Sequence, residues 1–414
     1  MPLWRKIKKI WKYLGAGLIT GAADDDPAGI ITYAIAGAKL GFASLWTAVF
    51  TFPLMAAAQE MCARIGMVTQ KGLAGVLRKH YPFGILIVMA ILMFSANTFN
   101  IGADIAGMSA ATNLLFPQLP TKAFALIYSA LILCLMILLD FKTLVKYLKW
   151  LTLSLFFYIV SALFISHNWL DIFKNMLLPD LKFSKETIIV LIAVFGTTIS
   201  PYLFFWQATE EAFEEKGHHH KIIVTKNELK HMEKDVTLGM LFSNVIMFFV
   251  MVLTGTLFFN QGITDIGTVD ELSQILGPLL GKFAHFIFTL GIVGTGLLVI
   301  PILAGGAAYI LSELFGWQRG FDKKFNQAKE FYVVIIVSTA IGLILNYFDF
   351  NPIDLLFYTA VFYGIISPPL LLIILSIANN KKIMGEHIND GLSNILGFTA
   401  FFVMAMAGLM LFFV

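Results

Sequence analysis

Residues 21–29 read Gly-Ala-Ala-Asp-Asp-Asp-Pro-Ala-Gly, three consecutive carboxylates and a proline inside the apolar stretch at residues 15–37. A second interruption, Gly-Thr-Thr-Ile-Ser-Pro-Tyr, occupies residues 196–202 of another apolar stretch. Proline removes a backbone hydrogen-bond donor and clashes with the preceding helical turn, so both stretches predict membrane helices that are broken near mid-depth. Carboxylates are costly at such a depth, and together with unwound backbone they indicate a site for a cation.

The composition excludes a water-soluble globular protein. Of the 414 residues, 58% are hydrophobic and 13% are charged, whereas a soluble domain carries about a quarter charged residues. A helix needs roughly 20 apolar residues to cross a bilayer, and about eleven segments meet that length. The sequence therefore predicts an all-α polytopic membrane protein with spans at residues 15–37, 41–63, 83–110, 121–140, 147–166, 187–209, 236–259, 278–312, 331–347, 352–377 and 391–413.

The basic residues predict the orientation of these spans in the cell membrane. With the N-terminus in the cytoplasm, most of the 29 lysines and arginines fall in cytoplasmic segments, as the positive-inside rule requires. The two breaks occupy spans one and six, which is typical of inverted repeats of five helices each. We therefore expect a basic cytoplasmic leader, a first repeat, a second repeat and an additional helix, at residues 1–14, 15–166, 187–377 and 391–413.

At these residues the chain resembles the NRAMP family of divalent-metal transporters. The family carries Asp-Pro-Gly-Asn in its first helix and Ala-x-x-Met-Pro-His in its sixth, where this chain has residues 26–29 and 197–202. The resemblance continues at residues 59–69, 103–107 and 382–386. It implies the fold of the bacterial leucine transporter, with a metal ion held between broken helices one and six.

The resemblance implies a metal site at Asp26, Gly29, Thr197 and Ser200. The family's ligands at these positions are Asp, Asn, an Ala carbonyl and Met, so this chain keeps the carboxylate and lacks the amide and the thioether. A hydroxyl is a harder ligand than a thioether, and the missing Asn side chain leaves room for an ion that keeps its waters, as Mg²⁺ does. The pattern resembles the NRAMP-related magnesium transporters, and Mn²⁺ would also be accepted.

Most groups that carry protons in the family are replaced here. The third-helix Asp-x-x-Glu corresponds to Asp104 and Gly107, and two sixth-helix histidines correspond to Tyr202 and Gln207. Neither tyrosine nor glutamine titrates near neutral pH, so we expect uptake driven by voltage without proton coupling. Asp104 stays a candidate for a proton route, and a satisfied buried polar group accounts for it equally well.

Several polar residues have two interpretations. Asp24 and Asp25 either hold metal-bound waters or line an outer vestibule, and Tyr202 borders the proposed site. The family's tenth-helix glutamine corresponds loosely to Tyr363. The His218–His220 tract is interpreted as part of a solvated cytoplasmic loop, together with the glutamates from position 210, and not as a regulatory metal site.

Other classes of protein fit less well. The net charge of +3 is too small to suggest nucleic-acid binding, and Cys62 and Cys134 are expected to be small buried residues without a disulfide. No catalytic motif indicates an enzyme, and no cofactor or obligate protein partner is implied beside the bilayer and the transported ion. A proton-coupled Mn²⁺/Fe²⁺ symporter, a channel and an amino-acid transporter stay as alternatives, although the aspartates at residues 24–26 would repel a substrate carboxylate.

Overall fold

The computed structural model describes residues 16–139, 143, 147–148, 150–165, 168–182, 184–216, 224–411 and 413. Every regular element in these ranges is helical, which confirms the predicted all-α class. The basic leader at residues 1–14 and the His218–His220 tract lie outside the described residues, and so do the predictions made for them.

Helices of eight or more residues are numbered in chain order. The first half contains α1 (Ala16–Asp24), α2 (Pro27–Leu40), α3 (Trp46–Thr69), α4 (Leu73–His80), α5 (Phe83–Leu115), α6 (Thr121–Leu138), α7 (Phe156–Phe164) and α8 (Trp169–Leu177). The second half contains α9 (Lys185–Thr198), α10 (Pro201–Lys216), α11 (Lys226–Leu257), α12 (Ala284–Phe315), α13 (Lys329–Leu345), α14 (Pro352–Ala378) and α15 (Gly391–Met410).

Within the described ranges, seven helical segments are long and apolar enough to cross a membrane, by length and composition. They correspond to the predicted spans three, four, six, seven, eight, ten and eleven. Span one falls short because its break divides it into α1 and α2, and α13 has 17 residues. Span two, α3, is long enough, but the ion pair of Glu60 and Arg64 lowers its mean hydropathy.

Several predicted boundaries are wrong, among them the start of span seven, because α11 begins at Lys226 and not at residue 236. Span eight does not begin at residue 278 as one continuous helix, because Gly281 takes a positive φ of 51° and α12 starts only at Ala284. Span six does not end at residue 209, because α10 continues to Lys216. Glu211 therefore lies on a helix and is buried, whereas the sequence suggested a solvated loop.

The cysteines divide between the interior and the surface. Both are free, as expected, and Cys62 is buried. Cys134 is exposed on α6, so its predicted burial is wrong. An apolar stretch alone does not tell which face of a membrane helix points to lipid and which to protein.

Glycine allows the broken helices to approach their neighbours closely. A β-carbon at Gly21 of α1 would lie 2.2 Å from the Gly239 carbonyl oxygen of α11. A β-carbon at Gly196 of α9 would lie 2.1 Å from the Ala360 carbonyl oxygen of α14. No real side chain tolerates such contacts. Glycine therefore sets the spacing between helices just before each of the two breaks, as small residues do in other membrane bundles.

Candidate metal centre

The first break places a carboxylate at a helix N-terminus. Helix α1 ends at Asp24, and α2 begins at Pro27 with Asp26 as its N-cap in extended conformation. Asp26 Oδ1 accepts a hydrogen bond of 2.6 Å from the Gly29 backbone N–H. Aspartate is a preferred N-cap and proline is favoured at the first helical position, so the Asp-Pro pair itself defines the start of α2.

The second break brings hydroxyl and carbonyl oxygens to the same region. Helix α9 ends at Thr198 and α10 begins at Pro201, so the break comprises two residues. The Ser200 hydroxyl lies within hydrogen-bonding distance of the Thr197 carbonyl oxygen and 3.1 Å from Asp24 Oδ1. This contact joins the two breaks directly.

Three oxygens converge in front of Gly29. A β-carbon at this position would lie 3.0 Å from the Asp24 carbonyl oxygen and 3.2 Å from both Asp26 Oδ1 and Thr197 Oγ1. Glycine thus leaves a small space that is lined by hard oxygen ligands. Of the four residues predicted from sequence, three meet here, while Ser200 meets the first break through Asp24. Thr197 presents its hydroxyl to this space, and its carbonyl oxygen accepts from Ser200.

Helix α5 supplies a residue that the sequence analysis missed. Asn100 Nδ2 donates a hydrogen bond of 3.0 Å to Asp26 Oδ2, and Asn100 Oδ1 is buried without a partner. Asn97 accepts a hydrogen bond of 3.2 Å from the Tyr363 hydroxyl. With Asp104, these residues are spaced by three and four positions and share one face of α5. Polar residues at this spacing in an apolar span are the sequence signal that could have identified Asn100.

Asp104 is fully buried and accepts no hydrogen bond from any side chain in the described part of the chain. One turn further, a β-carbon at Gly107 would lie 2.9 Å from Leu356 Cδ1 and 3.6 Å from Pro27 Cβ. The distance to Pro27 is an ordinary van der Waals contact, and Leu356 Cδ1 is the end of a flexible side chain, so a larger residue at position 107 would require Leu356 to move.

Asp24 and Asp25 lie in the interior with no exposed surface. Ser243 Oγ of α11 lies 2.7 Å from Asp24 Oδ2 and 3.1 Å from Asp25 Oδ1. This burial does not match an open outer vestibule. In the described part of the chain, no three carboxylate, imidazole or thiol groups surround a common metal position, so the three consecutive aspartates do not form a single ligand set. Ser243 was also missed from sequence.

The residues at the two histidine positions of the family, Tyr202 and Gln207, form hydrogen bonds through a hydroxyl and an amide. The Tyr202 hydroxyl donates to the Ala23 carbonyl oxygen at 2.9 Å, and its ring centroid lies 5.4 Å from that of Tyr363. Both tyrosines thus border the first break. Gln207 donates to Glu211 Oε1 at 2.8 Å and accepts from the Thr20 hydroxyl.

Polar contacts lie at the ends of α2 and α1 that are far from the break. At the end of α2, Lys39 pairs with Glu186 at the start of α9 and, at 2.8 Å, with Asp265. The Lys39 ammonium donates a hydrogen bond to Asp265 and holds the pKa of that exposed carboxyl below its usual range. At the opposite end, the Gly17 N–H of α1 donates to Asp235 of α11 at 2.7 Å.

Negative charge at the breaks has no cationic partner. None of the ion pairs within the described ranges includes a carboxylate of residues 24–26 or Asp104, although all four side chains are at most 2% exposed. An uncompensated buried charge costs several kcal/mol. An oxygen-lined, negatively charged interior is suited to a hard cation such as Mg²⁺ or Mn²⁺.

Comparisons with known proteins agree with this architecture. The family described as natural resistance-associated macrophage protein-like (Nramp) matches residues 17–414. The divalent metal cation transporter MntH of Staphylococcus aureus is 24% identical over 413 residues, which cover 96% of this chain and 90% of that protein.

Solved structures share the fold. A manganese transporter of Eremococcus coleocola, in complex with an aromatic bis-isothiourea compound, superimposes with a TM-score of 0.74 at 16% identity, covering 97% of this chain and 87% of the other. MhsT in complex with L-phenylalanine superimposes with a TM-score of 0.59 at 12% identity, covering 96% and 97%. MntH and the manganese transporter are transporters and not enzymes, as the sequence predicted. With a match over nearly its whole length, the chain belongs to the Nramp family.

Proposed function

We propose that this protein carries divalent cations, Mg²⁺ and Mn²⁺, across the cell membrane by alternating access. The observation that supports this most directly is the space at Gly29, where the Asp24 carbonyl, the Asp26 carboxylate and the Thr197 hydroxyl converge. The transported cation binds there between the broken spans, with Ser200 completing the set once its hydroxyl leaves the Thr197 carbonyl. The names of the relatives, a divalent metal cation transporter and a manganese transporter, agree with this substrate class.

The ligand types favour hard cations. Carboxylate, hydroxyl and carbonyl oxygens suit Mg²⁺ and Mn²⁺, whereas a thioether at position 200 would favour softer transition metals. Mg²⁺ dehydrates reluctantly and keeps several of its waters when bound. The missing side chain at Gly29 provides room for one of them, and Asn100 Oδ1, which has no partner, can accept a hydrogen bond from such a water. The selectivity proposed is that of the magnesium-transporting branch.

Transport is proposed to proceed without protons. Tyr202 and Gln207 form hydrogen bonds through side chains that do not titrate near neutral pH, and Gly107 has no side chain that could carry a proton. A divalent cation that enters a cell gains about 4.6 kcal/mol per 100 mV from the membrane potential, twice the value for a single charge, so no coupling ion is needed. Asp104 then serves as a fixed buried charge that attracts the cation.

The proposed orientation of the protein in the membrane rests on the distribution of lysine and arginine. With the N-terminus in the cytoplasm, α1 and α10 are the inner halves of the broken spans and α2 and α9 are the outer halves. Lys39, Glu186 and Asp265 then close the outer approach, and the contact of Gly17 with Asp235 closes the inner one. Residues 15–166 and 187–377 form the two inverted repeats in this proposal, and residues 391–413 form an additional helix.

Proton-coupled symport of Mn²⁺ or Fe²⁺ is the second candidate. Glu211 is buried on α10 and accepts a hydrogen bond from Gln207. It is a titratable group on the proposed cytoplasmic side of the second break. Together with Asp104 it could carry a proton past positions 202 and 207. Amino-acid transport is considered because MhsT, which shares the fold, is in complex with L-phenylalanine. It is disfavoured because a substrate carboxylate would meet aspartates that have no cationic partner among the described residues.

Purified protein in liposomes tests the substrate class. Uptake of radioactive Mn²⁺ should be inhibited by excess Mg²⁺ and should be insensitive to a mixture of the twenty amino acids. Uptake of a radioactive amino acid, with no uptake of Mn²⁺, would contradict the proposal.

A further inference from the structure

We propose a second cation-binding position formed by Asp24, Asp25 and Ser243, on the α1 side of Asp26. This inference rests on the proposed function, because the second position would bind the same transported divalent cation as the space at Gly29. The proposed ligand is a single divalent cation with hard oxygen preference, bound by carboxylate and hydroxyl oxygens. One ion occupies either this position or the one at Gly29, and it moves between them during transport.

The first observation is a shortage of hydrogen-bond donors. The two carboxylates and the hydroxyls of Ser243 and Ser200 form one connected group. Ser243 Oγ lies 2.7 Å from Asp24 Oδ2 and 3.1 Å from Asp25 Oδ1, yet a serine hydroxyl carries one hydrogen and can donate to only one of them. Ser200 likewise divides one hydrogen between Asp24 Oδ1 and the Thr197 carbonyl.

The second observation is an acceptor that no hydrogen bond within the group satisfies. Asp25 Oδ2 is buried, has no hydrogen-bond partner among the residues that the structure describes, and belongs to a side chain with no exposed surface. No lysine or arginine of the described residues pairs with either aspartate. A buried carboxylate in this state must be neutralised by a proton or by a bound cation, and a divalent cation would satisfy oxygens of both side chains at once. Asp26 is different, because Asn100 and the Gly29 N–H each donate to it.

The position joins a broken helix to an unbroken one. Asp24 is the last residue of the half-helix α1 and Asp25 follows it in the break, whereas Ser243 belongs to the long unbroken helix α11. The close contact of Gly21 with Gly239 keeps the two helices together one turn earlier. A cation bound by both elements would stabilise this packing, and displacement of α1 would release the cation towards the cytoplasm in the proposed orientation.

Equilibrium dialysis of the detergent-purified full-length protein with radioactive Mn²⁺ tests the second position. The parent should bind one ion. Asp26→Asn should still bind one ion with weaker affinity, and the variant Asp24→Asn/Asp25→Asn should retain binding at Gly29. The triple variant should bind none. If Asp26→Asn alone abolishes binding, the second position is wrong while the proposed function stands. If neither Asp26→Asn nor the double variant changes the affinity, both proposals are wrong.

A substitution of Ser243 tests the same position without removing either carboxylate. Ser243→Cys in the Asp26→Asn background places a thiol between the two carboxylates, and Cd²⁺ should then bind at least tenfold more tightly than to Asp26→Asn alone, because Cd²⁺ prefers sulfur ligands. Ser129→Cys in the same Asp26→Asn background is the matched control. Ser129 lies on α6 and is buried like Ser243, but its hydroxyl has no hydrogen-bond partner among the described residues. This change should leave the Cd²⁺ affinity unchanged. Equal Cd²⁺ affinities in all three proteins would overturn the proposal.

Discussion

Asn100 donates a hydrogen bond of 3.0 Å to Asp26, and this contact fixes the carboxylate of the first break against the third span. Asp26 Oδ1 meanwhile accepts from the Gly29 N–H, so one carboxylate is held by a helix N-terminus and by a neighbouring helix at once. A ligand that is oriented on both oxygens is pre-organised for a cation, because little motion is needed when the ion binds.

Asp26→Asn should abolish transport and leave the protein folded. The amide can still accept from Gly29, and Asn100 can turn its unpartnered Oδ1 towards the new donor. The loss of one negative charge removes the attraction that makes a divalent cation tolerable at mid-depth. Uptake of Mn²⁺ into liposomes should fall to the level of empty vesicles, whereas Asp171→Asn on the exposed part of α8 should behave like the parent. Uptake near the parent level in Asp26→Asn would exclude the first break as the site.

Gly29→Ala should block the site by volume alone. Its β-carbon would stand 3.0–3.2 Å from the three oxygens that line the space, where an ion and its water would otherwise sit. We expect at least a tenfold loss of Mg²⁺ uptake with an unchanged elution profile in size-exclusion chromatography. Gly84→Ala on α5 is the matched control, because nothing lies within 4 Å of the added atom. Unchanged uptake in Gly29→Ala would show that the ion passes elsewhere.

Asn100→Leu should weaken cation binding without abolishing it. A hydrogen bond to a charged group contributes about 1.5–3 kcal/mol, so the KM for Mn²⁺ uptake should rise by roughly tenfold or more. Asn113→Ala, at the far end of the same helix, removes a hydrogen bond to the Leu119 carbonyl and should leave KM unchanged. Equal KM values for the parent and Asn100→Leu would mean that Asn100 does not orient the ligand.

The sequence predicted both breaks and led to the proposal of Asp26 as a ligand, because a proline and adjacent carboxylates are costly in an apolar span unless the helix is interrupted and the charge is used. It did not predict Asn100 or Ser243, since a polar residue in a long apolar helix becomes informative only when the face that it occupies is known. For the same reason, the sequence left two interpretations of Asp24 and Asp25 open. Their neighbour Ser243 comes from α11, and pairing across such a distance in sequence depends on how the helices pack.

Ser200→Met should shift selectivity towards softer metals. A thioether is a soft ligand, so Mn²⁺ and Cd²⁺ should gain relative to Mg²⁺, by tenfold or less for a single ligand. Ser200→Ala separates the two effects of this change, because it removes the hydroxyl without adding sulfur. Competition of Mg²⁺ against radioactive Mn²⁺ gives the ratio directly. If the ratio is the same in the parent and in both variants, the side chain at position 200 does not face the ion.

The most direct measurement records Mg²⁺ entry and internal pH together, in liposomes held at a negative internal potential. We expect Mg²⁺ to enter faster as the potential becomes more negative and the internal pH to stay constant, with neither signal in Asp26→Asn vesicles. Internal acidification in step with Mg²⁺ entry would contradict uncoupled transport, and an absence of Mg²⁺ entry at any potential would contradict the proposed substrate.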